Sequence, residues 1–309
     1  MTEELKDKIK GMIFGLIVGD CLGAYLEFTS KDNHEFITDF KNGGPHRLRA
    51  GDWTDDTAMT LAIMDSIVCC NGEVVSKDIM EKFYNWYNKG EYSSNGRCFD
   101  IGYATIRALE SWKFKIYQNQ SESKGNGSIM RIAPTIALDF IDNNYDYKHS
   151  LKVSNLTHNN LYVQYVVKSM CDVIFEHLNG ERTTKKSIYK SRKEVSNSGI
   201  AGDTFNAALW AFNESESFED GLIKAVNLGG DSDSIGAVYG QIAGSYYGYN
   251  AIPNRWKDNI IKKYYIDNLI NNMIEVFEEK GEPKWQMKEE NCWKNFAKKA
   301  KHFLKHLTK

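Results

Sequence analysis

Two segments at opposite ends of the chain carry a glycine at every fourth position. They are Gly11, Gly15, Gly19 and Gly23 in the first segment, and Gly236, Gly240, Gly244 and Gly248 in the second. Glycine in a helix interior costs roughly 1 kcal/mol relative to alanine, and residues four apart share one helix face. We therefore predict two helices whose smooth faces let their backbones approach closely inside a soluble core.

Acidic residues lie beside both glycine stripes. Glu27 follows the first stripe, and Asp231 and Asp233 precede the second. If the two helices pack together, these carboxylates meet at one end of the pair. The stripes alone are equally consistent with tight packing and carboxylates that stay on the surface. Asp20 interrupts the first apolar run before it reaches the roughly 20 residues that a membrane span needs.

Composition limits the classes of partner. The chain has 309 residues, of which 42% are hydrophobic, and a formal net charge of −2. It therefore resembles a globular protein and offers no overall electrostatic attraction to nucleic acid or to an anionic membrane. The six cysteines are scattered without a C-x-x-C pair, and the charged N-terminal stretch lacks a signal-peptide pattern. We expect a reduced, cytoplasmic protein that is a monomer.

Helical periodicity dominates the chain, and strand-like alternation is weak. We predict an all-α fold of roughly a dozen helices, with helices at 4–27, 56–70, 76–88, 100–112, 160–178, 204–213, 218–227, 234–248 and 256–279. Residues 113–124 are expected to form a polar loop, and residues 1–280 one compact domain. Residues 281–309 are rich in lysine and show helical spacing, which is typical of a docked terminal helix or of a helix for a membrane surface or partner.

Two aspartate clusters directly precede apolar helical runs. The polar residues concerned are Asp52, Thr54, Asp55, Asp56 and Thr57 in the first cluster, and Asp231, Ser232, Asp233 and Ser234 in the second. Helix capping is the simpler explanation, but one cap needs one such residue. Adjacent carboxylates repel unless a cation lies between them, and oxygen ligands favour Mg²⁺, Mn²⁺ or Ca²⁺. Together with Glu27, the clusters could hold two metal ions about 4 Å apart.

Three further features are ambiguous when taken alone. The segment Gly125-Asn126-Gly127-Ser128 is a turn before an apolar run, so it could hold a phosphate or be an ordinary turn with a helix cap. His158 could contact a ligand or cap a helix. Asp100 could cap the helix that follows it.

Taken in order, these motifs resemble the ADP-ribosylglycohydrolase family. The resemblance runs from about Gly11 to Trp256 and includes the strings GLIVGDCLGAYLEF, WTDDTAM, CFDIG, GNGSIMRIAP, TH, GDTFNAALWAF, GGDSDSIGAVYGQIAG and IPNRW. It implies a single-domain, all-α fold around a central site for two Mg²⁺ or Mn²⁺ ions. It also implies cleavage of the bond that joins the anomeric carbon of ADP-ribose to an acceptor.

The resemblance further implies roles for individual residues. Residues that match the metal ligands are Thr54, Asp55, Asp56, Asp231 and Asp233, together with Ser234, which stands where the family usually has threonine. Residues that match the substrate-binding cleft are Gly125, Asn126, Gly127, Ser128 and His158, although THNN replaces the more usual second histidine. Glu27 matches a carboxylate beside the metals and the ribose, and Asp100 matches an aspartate that faces a guanidinium in arginine-specific members.

The function that follows is metal-dependent hydrolysis of ADP-ribose from a protein side chain, with arginine preferred. Glu27, Asp55, Asp56 and Asp100 are the candidate catalytic residues, ADP-ribose is the product, and no nucleic acid or membrane partner is expected. The alternatives are hydrolysis of a serine-linked or small-molecule ADP-ribose derivative, or a non-catalytic homologue that binds ADP-ribose or has a structural role. The intact aspartates argue against the last of these.

Overall fold

The structure, a computed structural model, describes residues 1–114 and 121–280. Within these ranges it contains twelve α-helices: α1 Glu3–Gly23, α2 Asp55–Cys69, α3 Ser76–Lys89, α4 Tyr103–Lys113, α5 Ala133–Ile141, α6 Lys148–Ser154, α7 Leu161–Leu178, α8 Ala201–Asn213, α9 Phe218–Val226, α10 Ser232–Tyr247, α11 Asn254–Lys257 and α12 Lys263–Lys280. The described residues form no strand beyond two isolated bridges. The all-α prediction is therefore confirmed.

The two glycine-striped helices form the centre of the fold. Every residue of α1 from Gly11 to Gly23 is buried, and so is every residue of α10 from Ser232 to Ser245. A helix that is covered on all sides needs apolar or small residues all round, which both sequences supply. Helices α7, α8 and α9 pack against α10, and α2 packs between α3 and α12.

The glycines bring α1 and α10 into backbone contact, as the sequence predicts. A β-carbon on Gly15 would lie 2.5 Å from the carbonyl oxygen of Gly240, and one on Gly240 would lie closer still to the carbonyl oxygen of Gly15. Gly19 and Gly236 face each other in the same way. The helices run antiparallel, so the end of α1 lies against the start of α10.

Several predicted boundaries differ from the structure. Helix α1 ends at Gly23 rather than at residue 27, because the chain turns there and Phe28 adopts a left-handed φ of 61° while its N–H donates to the carbonyl of Gly230 at 2.7 Å. Glu27 therefore lies in a turn. The last predicted helix is split into α11 and α12, where Lys262 has a φ of 54°. The short helices α5 and α6 were not predicted.

The described residues contain no helix that is both long and apolar enough to cross a lipid bilayer. The lysine-rich segment 281–309 and residues 115–120 of the polar loop predicted at 113–124 lie outside the described residues. The prediction of a docked or partner-binding helix at 281–309 therefore concerns residues outside the described part of the chain.

Replacing Gly240 with alanine should prevent the two central helices from packing. Alanine would gain roughly 1 kcal/mol of helix propensity, but its methyl group meets backbone atoms, which cannot move aside as a flexible side chain would. We expect the free energy of unfolding to fall by about 3 kcal/mol in urea denaturation, the upper end of the usual cost of overpacking. The control is Gly102→Ala, where a β-carbon would have no neighbour within 4 Å. Equal stability of both variants would contradict the close approach.

Candidate metal centre and substrate cleft

The first acidic pair, Asp55 and Asp56, forms the opening turn of α2 without capping it. The cap comes from Asp20 of α1, whose Oδ1 accepts a hydrogen bond from the Thr54 N–H at 3.0 Å and whose Oδ2 accepts one from the Thr57 N–H at 3.0 Å. Because Asp20 of another helix provides the cap, Asp55 and Asp56 remain available for contacts outside α2. Capping therefore does not explain the first cluster.

The second acidic cluster, at the start of α10, is linked directly to the first. The Thr54 hydroxyl donates to Asp233 Oδ2 at 3.3 Å, and the Ser234 hydroxyl donates to Asp56 Oδ1 at 3.4 Å. Asp231 occupies the N-cap position of α10 but makes no side-chain cap hydrogen bond. The positive ends of two helix dipoles thus point at one group of carboxylates, which favours negative charge there.

Glu27 joins this group from the turn after α1. One ligand atom each from Glu27, Asp231 and Asp233 lie within 4.8 Å of one another. Atoms of Glu27, His46 and Asp100 form a second such group. The prediction that acidic ends of the glycine-striped helices meet is therefore confirmed.

The chemistry of this cluster fits a hard divalent cation. Asp56 Oδ2 and Asp233 Oδ1 are buried and have no hydrogen-bond partner in the described part of the chain. Burial, followed by the charges of neighbouring carboxylates, raises the pKa of Asp55, Asp56 and Asp233 well above the ordinary value. Buried carboxylates without partners are costly, and an all-oxygen donor set suits Mg²⁺ or Mn²⁺.

A cavity of about 1,220 Å³ opens above the carboxylates. This volume accommodates a ligand larger than most drug-sized molecules. Predicted site residues that line it are Glu27, Asp55, Asp100, Gly125, Asn126, Gly127, His158, Asp231, Asp233 and Ser234. The remaining three, Thr54, Asp56 and Ser128, are buried behind the cavity wall. The Ser128 hydroxyl accepts a hydrogen bond from Ser154 at 2.9 Å rather than facing the cavity.

The loop that begins at Gly125 is tied to the acidic cluster through Asn126. The Asn126 N–H donates to the carbonyl of Gly199 at 2.9 Å. Its side-chain amide donates to Asp231 Oδ2 at 2.6 Å and to Thr204 Oγ1 at 3.0 Å. The loop therefore has a fixed position relative to the start of α10 and forms one wall of the cavity.

His46 is a site residue that sequence reasoning missed. Its Nε2 lies 2.8 Å from Glu27 Oε2 and 3.3 Å from Asp100 Oδ1. Hydrogen bonds to Asp100 and Glu27 raise the pKa of His46 to about 10, so the imidazole carries a positive charge between two carboxylates. Its ring packs against Phe99, with centroids 5.3 Å apart. No local spacing signals this residue, because only the fold brings it to Glu27.

Two buried charged residues were also assigned no role from the sequence. Asp20 caps α2, although it lies 34 positions before Thr54 in the chain. Arg131 is fully buried beneath the loop that begins at Gly125. Asp20 and Arg131 both act through contacts between distant segments, so neither leaves a periodic pattern that could reveal it.

Comparisons with known proteins agree on one family. A profile of the ADP-ribosylglycohydrolase family matches residues 1–283. An ADP-ribosylarginine hydrolase, Tri1, from Pseudomonas putida is 35% identical, over 88% of this chain and 79% of that protein. An ADP-ribosyl-[dinitrogen reductase] glycohydrolase from Rhodospirillum rubrum is 29% identical, over 83% of this chain and 91% of that protein. A solved structure of an ADP-ribosylglycohydrolase-related protein complex has a TM-score of 0.76 and 32% identity, and the match covers 89% of this chain and all of the other.

Replacing Asp56 with asparagine should abolish the response of the protein to metal without lowering its stability. Removing one buried carboxylate relieves repulsion, so we expect the metal-free melting temperature to stay equal or rise. In the wild type, Mg²⁺ at a hundred times its dissociation constant should raise the free energy of unfolding by about 2.7 kcal/mol and the melting temperature with it. In Asp56→Asn this rise in melting temperature should be lost.

The control for this experiment is Asp139→Asn. Asp139 is also buried, but its carboxylate accepts four hydrogen bonds, from the backbone N–H groups of His149 and Ser150, the Ser150 hydroxyl and the Asn144 amide. This variant should lose stability and keep its response to Mg²⁺. An undiminished Mg²⁺ response in Asp56→Asn would contradict the metal site.

Proposed function

The chain belongs to the ADP-ribosylglycohydrolase family and is thus a hydrolase of ADP-ribosyl bonds, and we propose that it removes ADP-ribose from arginine side chains of modified proteins. The bond cleaved is the N-glycosidic bond between the anomeric carbon of ribose and a guanidine nitrogen. Water supplies a hydroxyl to that carbon and a proton to the departing nitrogen. The products are ADP-ribose and an unmodified arginine.

One observation carries the arginine preference. Glu27 and Asp100 meet at the edge of the cavity around a single N–H group, that of His46 Nε2. Two carboxylates that converge on one cationic donor offer the geometry that suits a guanidinium, whose N–H groups form a planar fork. The names of the relatives from Pseudomonas putida and Serratia proteamaculans, both ADP-ribosylarginine hydrolases, support the same linkage.

The metal-binding residues would be those that meet at the starts of α2 and α10: Thr54, Asp55, Asp56, Asp231, Asp233 and Ser234. We propose that they hold two Mg²⁺ or Mn²⁺ ions. When bound, such ions supply Lewis acidity, which polarises ribose hydroxyls and makes water more acidic.

The chain's own residues perform the remaining tasks. Burial raises the pKa of Glu27 to about 7, so this carboxylate can take up or release a proton near neutral pH. Breaking the glycosidic bond develops positive charge on the ribose ring, which the carboxylates below it stabilise. Asp100 orients the departing guanidine, and the loop at Gly125 to Gly127 holds the rest of ADP-ribose against the cavity wall.

The test is release of ADP-ribose from an arginine-modified protein, with a serine-modified protein in parallel. We expect release from the arginine linkage, loss of release in EDTA and recovery with excess Mg²⁺ or Mn²⁺. Asp100→Asn should lower kcat/KM for the arginine linkage about ten- to hundredfold, which is the cost of losing a hydrogen bond to a charged group.

The matched control is Glu110→Gln, which removes an exposed carboxylate on α4 and should leave kcat/KM within about twofold. Preferential release from the serine-modified protein would overturn the arginine assignment. Binding of ADP-ribose without release from either protein would instead identify a binder or an enzyme for a small-molecule substrate.

A further inference from the structure

Arg131 is fully buried, and all hydrogen bonds of its guanidinium within the described residues go to uncharged partners. Its Nη1 donates to the carbonyl of Gly127 and lies 3.1 Å from Met59 Sδ, while its Nη2 donates to Thr157 Oγ1 at 2.7 Å. The Phe83 ring lies 4.9 Å from Cζ. The hydrogen bonds of the guanidinium thus go to a backbone carbonyl and a hydroxyl, both beside the substrate cleft, while the charges of Asp55 and Asp56 act on it from beyond ion-pair distance.

The hydrogen bond from Arg131 to Thr157 determines which group donates in the hydrogen bond between Thr157 and His158. A guanidinium only donates, so the Thr157 oxygen must accept from Arg131. Thr157 is buried, and its hydroxyl has one other partner in the described structure, His158 Nδ1 at 2.7 Å. The hydroxyl proton is satisfied only if it is donated to Nδ1, because a buried donor without an acceptor is costly. His158 then carries its own proton on Nε2.

The Nε2 side of His158 lies against Gly125 to Gly127, the glycine loop that lines the cavity. The imidazole lies against the glycine loop so closely that a β-carbon on Gly127 would come 2.9 Å from Cε1 and 3.2 Å from Nε2. His158 also lines the cavity. Burial and the charge of Arg131 lower the pKa of His158 to about 3, so the ring is neutral and has a single N–H to offer.

We propose that Arg131 and Thr157 are positioning residues, which hold His158 as the Nε2–H tautomer so that this N–H donates to an oxygen of bound ADP-ribose. The same guanidinium fixes the carbonyl of Gly127, so one buried cation sets both the loop and the imidazole beside it. This inference rests on the proposed function for the identity of the ligand, but the tautomer itself is a property of the free protein.

The first test is made without ligand, by NMR of protein labelled with ¹⁵N-histidine, with the His158 signals assigned by their loss in His158→Gln. We expect a protonated Nε2 and an unprotonated Nδ1 in the wild type. Thr157→Val should yield a mixture of tautomers, and Thr157→Ser should restore the single form. A protonated Nδ1 in the wild type, or an unchanged tautomer in Thr157→Val, would overturn the proposal.

The second test is calorimetric titration with ADP-ribose. Thr157→Val should raise the dissociation constant about five- to tenfold, the effect of one hydrogen bond, and Thr157→Ser should return it to the wild-type value. The control is Thr135→Val, which removes another buried hydroxyl, one that donates to the carbonyl of Ile132. Equal weakening by both valine variants would indicate a general packing effect and overturn the role of Thr157.

Arg131→Lys adds a coupling measurement. Lysine keeps the charge but lacks the two separate donors of the planar guanidinium. The variant should therefore bind ADP-ribose more weakly and show a mixture of His158 tautomers. Combined with Thr157→Val, the losses in affinity should be less than additive, because both residues act on His158. Fully additive losses in affinity would contradict the proposal that Arg131 and Thr157 both act through His158. If wild-type protein failed to bind ADP-ribose, both the proposed function and the hydrogen bond from His158 to the ligand would be wrong. The NMR experiment would still test whether Arg131 and Thr157 set the tautomer of His158.

Discussion

The backbone contact between α1 and α10 determines where the other parts of the site lie. Glycine at each meeting point removes the side chains that would hold two helices about 8 to 10 Å apart. The antiparallel arrangement then brings the turn after α1, with Glu27, against the start of α10, with Asp231 and Asp233. Asp20, one turn before the end of α1, reaches the start of α2 as its cap. A single packed pair therefore aligns three acidic segments.

The sequence predicts this arrangement well because its signals are local. A four-residue glycine period and carboxylates at its ends can be read within about 25 residues of chain, and both are found as expected. The predictions fail where the determining contact is non-local. Helix α1 stops at Gly23 because the chain beyond it bonds to the loop before α10, and His46 reaches Glu27 only through the fold. Neither contact leaves a pattern in the residues beside it.

Stability and binding oppose each other in the acidic cluster. Buried carboxylates that face one another cost folding free energy, and the two helix N-termini that point at them offset only part of that cost. The unpaired oxygens of Asp56 and Asp233 carry this cost, which a cation bound at the proposed metal site would offset. If stability were the sole constraint, neutral capping residues such as serine would be expected at these positions. Helix α9 has such a cap in Ser217.

The cavity lining contains two groups of residues that suit different parts of the proposed substrate. Glu27 and Asp100 suit the cationic arginine end of the molecule. The glycine loop and His158 carry no negative charge, and Arg131 is buried next to them. An ADP-ribosyl group has a diphosphate on the side away from the arginine. In the reverse orientation the diphosphate would lie against Glu27 and Asp100, and repulsion between like charges disfavours that arrangement. The hydrogen bond proposed for His158 would favour the same orientation as this repulsion.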